Sequence, residues 1–192
     1  MFVTELDKRL FFAINHFRTP FLDVVIPIFS EPKFIYAFFA LSGIIFLKRF
    51  GVKKTALVYL TLFLGFLWVD FSTARLLKPY FKRLRPFLSL KYVYLGGAHA
   101  KYLLKPILTK TSYSFPSCHA SNVGFASLYL SLFYRNFAWL WMGFAFLVGW
   151  SRIYLGVHYP FDVLCGWLYG FFWATLIYLF CTRILFSKFN IN

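Results

Sequence analysis

Three short polar clusters stand out in an otherwise apolar chain, and their residue types suit phosphate chemistry. They are KPYFKRLRP at residues 78–86, PSCH at 116–119 and SRIYLGVHYPFD at 151–162. Between them they supply two lysines, arginines, small hydroxyl residues, two histidines and one carboxylate. Such a set can bind a phosphate group and transfer it, provided that the fold brings the three clusters together.

The cations of the clusters form a candidate phosphate cradle. Lys78, Arg85 and Arg152 are three fixed positive charges, and arginine side chains match phosphate oxygens in a two-pronged manner. Residues 117–119 follow a proline and precede an apolar run, which predicts a helix beginning with Ser117 as its N-cap. The free N–H groups of such a helix start favour an anion.

The two histidines of the clusters offer a nucleophile and an acid. Asp162 lies four residues after His158, so it could accept the Nδ1 proton and leave Nε2 free to attack phosphorus. His119 would then protonate the departing alkoxide.

Simpler readings apply to each residue alone. A single histidine at the end of a span is more often structural, and a lysine or arginine there is usually an interfacial anchor. Metal binding by His119, His158 and Asp162 is conceivable, but the neighbouring cations oppose a divalent ion, so we expect no metal and no cofactor. The joint pattern favours catalysis, whereas His16 and His99 carry no motif and are interpreted as structural.

The composition indicates a membrane protein. The 192 residues have a mean hydropathy of +0.66 and include 28 Phe against only six acidic residues. The net charge of +15 would suit nucleic acid in a soluble protein, but in a membrane protein anionic or phosphorylated lipids are the expected partner. The chain shows no cleavable signal peptide pattern, and its three cysteines do not suggest a disulfide framework.

The elements that must position the clusters are apolar helices. We predict an all-α integral membrane bundle of five transmembrane helices, with a sixth if residues 20–31 also insert. Leu6, Leu10, Ile14 and Phe17 lie at helical spacing and predict an amphipathic helix on the membrane surface, with Asp7, Lys8 and Arg18 on its polar side. A single domain over 1–192 would comprise interfacial helices (1–31), two spans (33–77), a basic active-site loop (79–115) and three spans (117–183).

The long basic connection and its neighbours add candidate residues. The segment 87–110 contains Gly96-Gly97, a flexible point suited to a lid or headgroup collar, and is expected to select the substrate. Asp70, inside an apolar span, is expected to pair with a neighbouring span or a site cation. Further residues expected behind the site or at the headgroup are Arg75, Lys82, Arg83 and Ser151, and the outlying cations are Lys91, Lys101, Lys105 and Lys110.

The three clusters resemble the three-part signature of the type 2 phosphatidic acid phosphatases: Lys-x6-Arg-Pro, Pro-Ser-x-His and Ser-Arg-x5-His-x3-Asp. The resemblance covers about residues 54–183 and implies a metal-independent lipid phosphatase working through a phosphohistidine. In it His158 is the nucleophile, Asp162 its partner and His119 the general acid, and the phosphate is held by Lys78, Arg85, Ser117, Cys118 and Arg152. The family normally has glycine where this chain has Cys118, which would be strained if the position required a positive φ.

Substrate and orientation follow less directly from the sequence. The surplus cations and small size make the chain similar to lipid A phosphatases, with the 1-phosphate preferred over the 4′-phosphate. The alternatives are phosphatidylglycerophosphate, phosphatidic acid and undecaprenyl pyrophosphate, or, in another class, a lipid phosphotransferase or a non-catalytic lipid-binding protein. Counting Lys and Arg would place the three clusters on the cytoplasmic side, whereas the resemblance implies the bacterial inner membrane with the site facing the periplasm.

Overall fold

The computed structural model describes residues 4–107 and 111–186, with side chains as far as residue 184. Within these residues the fold is mostly helical, as expected. The structure also contains a small hairpin that the sequence did not predict, formed by two antiparallel strands, β1 (Val93–Leu95) and β2 (Lys101–Leu103).

Two short helices begin the chain. Helix α1 (Glu5–Asn15) starts at Thr4, whose hydroxyl accepts the Asp7 N–H at 3.2 Å. Helix α2 (Pro20–Ile28) starts at Thr19, with proline in its first turn. The amphipathic helix is therefore present, but its polar side is not all solvated, because Asp7 is completely buried.

Two long helices follow. Helix α3 (Pro32–Phe50) ends at Gly51, and α4 (Val52–Phe71) continues through a π-helical segment (Ser72–Leu77) into one further turn, α5 (Lys78–Phe81). Helices α2 and α3 are bent by 58° relative to each other across a short break. The extra residue per turn of a π-helical segment rotates everything after it, and here it lies just before Lys78.

The connection that follows α5 contains short elements and tight turns in its described parts. Lys82 ends α5 in the left-handed conformation (φ 50°), which turns the chain towards the short helix α6 (Pro86–Ser89). The hairpin that follows is fixed to the N-terminal region. Asn15 donates to the Tyr94 carbonyl at 2.8 Å and Arg18 donates to the carbonyls of Gly96 and Gly97 at 3.0 and 3.1 Å. The expected flexible glycine pair is thus a bound turn.

Three helices complete the bundle: α7 (Cys118–Phe133), α8 (Ala138–Tyr154) and α9 (Pro160–Phe180), the last continued by a π-helical segment (Cys181–Phe186). Helices α7 and α9 are in close contact. A Cβ on Gly170 would collide with the backbone of Ser121, so the two helices approach each other where only glycine fits. The main core lies around Phe125, Tyr129 and Trp141.

The long helices lie at the residues that were predicted to form spans. By length and hydropathy alone, two described helices, Val52–Phe81 and Pro160–Ile184, are sufficient to cross a membrane, and the bent pair of α2 and α3 gives a third if counted as one span. The chain is therefore a helical membrane protein.

Candidate active site

His158 lies in the tight turn between α8 and α9. Gly156 precedes it with φ +79°, and a Cβ there would collide with the Tyr94 carbonyl oxygen of the hairpin. A side chain would therefore be strained and also clash, so glycine is required where this turn packs under β1. The turn fixes the His158 ring, which is 1 % exposed.

The predicted phosphate-binding cations converge on this ring. Arg85 Nη1 lies 3.2 Å from His158 Nε2, and the same nitrogen donates to the Val157 carbonyl at 3.0 Å. Lys78 Nζ donates to the carbonyls of Tyr113 and Ser114 at 3.0 and 3.3 Å. The cations that act electrostatically on His158 are Arg85, Lys78 and Arg152.

The start of α7 forms the other wall. Ser117 is the N-cap, and its hydroxyl accepts the Ala120 N–H at 3.4 Å. The Ser117 N–H donates to the Asp162 carbonyl at 3.0 Å, which ties the starts of α7 and α9 together. Cys118 is the first helical residue of α7 and has no positive φ, so the residue that replaces the family's glycine is accommodated without backbone strain.

His119 follows in the first turn of α7. The His119 side chain forms a hydrogen bond with the backbone of Ser30. Arg152, Arg85 and Lys78 act on His119 electrostatically, as they do on His158. The Ser30 hydroxyl in turn pairs with Ser151 Oγ at 2.6 Å. Ser151 therefore supports the turn that contacts His119.

Asp162 is held by more than the histidine. Its Oδ2 accepts the Tyr159 N–H at 2.8 Å, and its Oδ1 accepts from Arg83 at 2.6 Å. His158 Nδ1 is 3.5 Å from Asp162 Oδ2, the outer limit of a hydrogen bond, and within the described residues it has no well-formed hydrogen bond. Such contacts often tighten only when substrate is bound.

Arg83 extends this arrangement to the N-terminal helix. It is 3 % exposed, stacks on the Tyr159 ring at 4.2 Å and donates to Asp7 as well as to Asp162. Asp7 also accepts the Phe161 N–H at 3.0 Å. The sequence placed Asp7 on the polar side of a surface helix, close to Glu5 and Lys8, and gave no signal of another role.

The other residues predicted to lie behind the site or at the headgroup occupy different environments. Arg75 and Lys82 are exposed and are not among the charges that act on His158. Lys91, Lys101 and Lys105 are exposed on or beside the hairpin, and Lys110 lies outside the described residues. Asp70 is half-buried and accepts a 2.7 Å hydrogen bond from Asn122 on α7.

Burial and the surrounding cations determine the protonation of the turn. Burial first, and then Arg85, Lys78 and Arg152, hold the pKa of His158 well below its usual value of 6.5. Burial also lowers the pKa of Arg85, which nevertheless stays a cation at neutral pH. His158 is therefore a neutral imidazole facing an arginine, the state that a nucleophile needs.

The fold and the site define a family. Residues 53–185 match the model of the PAP2 superfamily, and the chain belongs to that superfamily. The resemblance inferred from the three clusters is confirmed.

Individual relatives agree with this assignment. The chain is 28% identical over 194 residues to the lipid A 4′-phosphatase of Bacteroides thetaiotaomicron, covering 95% of this chain and 80% of that one. It is 30% identical over 166 residues to the undecaprenyl-diphosphatase of Sulfolobus acidocaldarius, covering 85% and 73%. The crystal structure of Aquifex aeolicus LpxE superposes with a TM-score of 0.64 at 30% identity, covering 91% of this chain and 95% of that one. The chain is thus a membrane lipid phosphatase.

Proposed function

We propose that this protein removes a phosphate group from a lipid headgroup through a phosphohistidine on His158, without a metal ion, and that its substrate is lipid A. The observation that carries the mechanism is the buried His158, whose Nε2 lies 3.2 Å from Arg85 in a site bounded by Lys78, Arg152 and the start of α7.

The reaction has two steps. His158 Nε2 forms a bond to phosphorus as the ester P–O bond breaks, and His119 gives its proton to the departing oxygen. Water then attacks the phosphohistidine with His119 accepting a proton, and the N–P bond breaks to release inorganic phosphate. Asp162 orients the imidazole and stabilises its positive charge while the phosphate is attached.

The phosphate charge is matched by protein cations and helix N–H groups. Lys78, Arg85 and Arg152 provide charge, and the Ser117 hydroxyl and the Cys118 N–H lie at the positive end of α7. Arg152 has a buried Nε with no hydrogen-bond partner among the described residues, which is a donor that a phosphate oxygen would satisfy.

The choice of lipid A rests on charge and on relatives. Lys91, Lys101 and Lys105 are exposed on the hairpin side and suit a headgroup carrying more than one phosphate. The sequence favoured the 1-phosphate, while the Bacteroides relative is named for the 4′-phosphate. Both positions therefore belong in the assay, together with phosphatidylglycerophosphate, phosphatidic acid and undecaprenyl pyrophosphate.

The proposed setting is the bacterial inner membrane. Five spans would be α3, α4 with its extension, α7, α8 and α9, with α1 on the membrane surface and the site at the periplasmic face. A cysteine introduced at the exposed His99 of the hairpin should react with an impermeant thiol reagent added to whole spheroplasts. Labelling only after lysis would place the site on the cytoplasmic side.

The decisive experiment uses purified protein in detergent with the lipid panel, with and without EDTA. Phosphate release from lipid A that persists in EDTA, together with an acid-labile phosphoenzyme absent from His158→Ala, is expected. Activity that needs a restored divalent metal, or His158→Ala with more than a few per cent of wild-type turnover, would refute the mechanism. Transfer of phosphate to an added acceptor lipid instead of water would identify a phosphotransferase.

A further inference from the structure

Beside His119 lies a cavity of about 130 Å³ that the reaction scheme does not use. Its polar lining comes from Asp70 on α4 and from Cys118, His119 and Asn122 on α7. If His119 is the acid, the leaving alcohol must be next to it, so this cavity is where the part of the lipid nearest the ester oxygen lies.

The cavity leads into a larger apolar one. A space of about 420 Å³ between α3, α4 and α7 is lined almost wholly by hydrophobic side chains. The two cavities share five lining residues: Ile35, Tyr36, Phe66, Asn122 and Val123. A lipid with its ester oxygen at His119 would therefore pass Asp70 and Asn122 before its acyl chain enters the apolar space.

The polar pair presents hydrogen-bond acceptors to this path. A carboxylate only accepts, so the Asn122 amide nitrogen must face Asp70 Oδ1, where it lies at 2.7 Å. This orientation turns Asn122 Oδ1 away from Asp70. That oxygen is buried and has no hydrogen-bond partner among the residues that the structure describes, and the Asn122 side chain belongs to a residue only 8% exposed. An unpaired buried acceptor of this kind calls for a donor.

We propose that Asp70 and Asn122 form a subsite that reads a hydroxyl or amide N–H of the leaving alcohol, close to its phosphate ester. The inference rests on the proposed function and narrows its substrate class. A phosphate would be repelled by this carboxylate, and a plain polyprenyl or diacylglycerol group carries no donor to offer it. A phosphorylated amino sugar or a glycerol phosphate with a free hydroxyl carries one, so these lipids are preferred.

The expected preference for donor-bearing lipids can be estimated from the cost of leaving buried polar groups without a hydrogen bond. A site built to bind a donor discriminates against an analogue without one, because its own buried polar groups then stay unpaired. We expect kcat/KM for a donor-bearing lipid to exceed that for a matched lipid without the donor by roughly ten-fold or more.

The test compares two lipids with identical acyl chains and the same phosphodiester, phosphatidylglycerophosphate, whose leaving alcohol has a free glycerol hydroxyl, and its 2′-deoxy analogue, whose leaving alcohol has none. The ratio of their kcat/KM values is measured in wild type, Asp70→Asn and Asn122→Leu. The ratio should fall about ten-fold in both variants. Asp70→Asn keeps the shape of the side chain, so it remains informative if Asn122→Leu proves unstable.

Thr61→Val is the matched control. Thr61 Oγ1 pairs with the Tyr129 hydroxyl at 2.6 Å across the same two helices, α4 and α7, and Thr61 lines neither cavity. Its loss should lower thermal stability while leaving the ratio within about two-fold of wild type. A ratio unchanged in Asp70→Asn, or an equal loss on both lipids, would show that the pair only braces the helices and would overturn the proposal. Failure of wild type to hydrolyse any lipid of the panel would overturn the proposed function as well, which separates the two cases.

Discussion

Asp7 of the first helix forms a buried ion pair with Arg83, and the same guanidinium holds Asp162 in the active site. The side chains of all three residues are 2% exposed or less. Because two carboxylates share one arginine, the position of each of the three side chains depends on the other two. Helix α1 is therefore connected to His158 through only two intervening side chains.

Asp7→Asn should reduce kcat by roughly ten-fold or more while changing KM little, because Arg83 loses one of its two anions and Asp162 loses its fixed position behind His158. Single-turnover phosphoenzyme formation should slow to the same extent. The free energy of unfolding should also fall, by about 3 kcal/mol, since the buried Arg83 loses Asp7 as one of its two charged partners.

Glu5→Gln is the control for this prediction. Glu5 is an exposed carboxylate on the same helix and pairs with Lys8 at 2.7 Å. It should leave both kcat and stability near wild type. A normal phosphoenzyme rate in Asp7→Asn would mean that the ion pair serves stability alone.

His119→Ala should be rescued by a better leaving group. If His119 protonates the departing alkoxide, its loss matters for a lipid alcohol and matters little for an aryl phosphate such as p-nitrophenyl phosphate, whose anion leaves without a proton. We expect the lipid rate to fall at least about a hundred-fold and the aryl phosphate rate far less. In His158→Ala the rates on the lipid and on the aryl phosphate should fall equally. Equal falls of the two rates in His119→Ala would show that His119 is not the general acid.

The acid limb of the pH profile should respond to Arg85. His158 must be neutral to attack, and burial with nearby cations keeps its pKa below 6.5, so activity is retained well into mildly acidic solution. Arg85→Gln removes one of those cations, protonation of His158 becomes easier, and its pKa rises. The loss of kcat/KM on acidification should therefore begin at higher pH than in wild type.

Because the substrate phosphate titrates in both proteins, the displacement between the two profiles isolates the enzyme group. Arg75→Gln, which changes an exposed arginine of the π-helical segment, should give the wild-type profile. An acid limb that moves to lower pH in Arg85→Gln would contradict the assignment of His158 as the neutral nucleophile.

Neutralising the lysines of the basic segment 87–110 should affect binding more than chemistry. Replacing Lys91, Lys101, Lys105 and Lys110 by glutamine should raise KM several-fold for lipid A and less for phosphatidic acid, with kcat nearly unchanged and the effect reduced in high salt. Glutamine at Lys48 and Lys53, near the turn between α3 and α4 at the opposite end of α4 from Lys78, serves as the control. A uniform loss of kcat on every lipid would show that the hairpin builds the catalytic site.

The sequence was informative where function depends on short spacings. The placing of Lys78 and Arg85 near His158, the cap at Ser117 and the approach of His158 to Asp162 are each contained in one local motif. Hydropathy likewise predicted the long helices, because lipid imposes length and apolarity on them.

Long-range partners could not be read in the same way. The contacts of Arg83 with Asp7 and Asp162, and of Asn122 with Asp70, join residues 76, 79 and 52 positions apart. Helical periodicity assigns Asp7 to a polar face but does not say whether water or an arginine lies opposite. The hairpin was missed because its strands have three residues each and little alternation.

The contact between Asp7 and the Phe161 backbone spans 154 residues, so its two halves leave the ribosome far apart in time. During synthesis the Asp7 carboxylate emerges before Arg83 and long before Phe161, the two partners that bury it. A helix resting at the water boundary can keep that carboxylate hydrated during the wait, whereas an inserted one could not. The surroundings of His158 are consequently completed only after the segment carrying Phe161 and Asp162 has been made, and a nascent chain that stops before it should not turn over substrate.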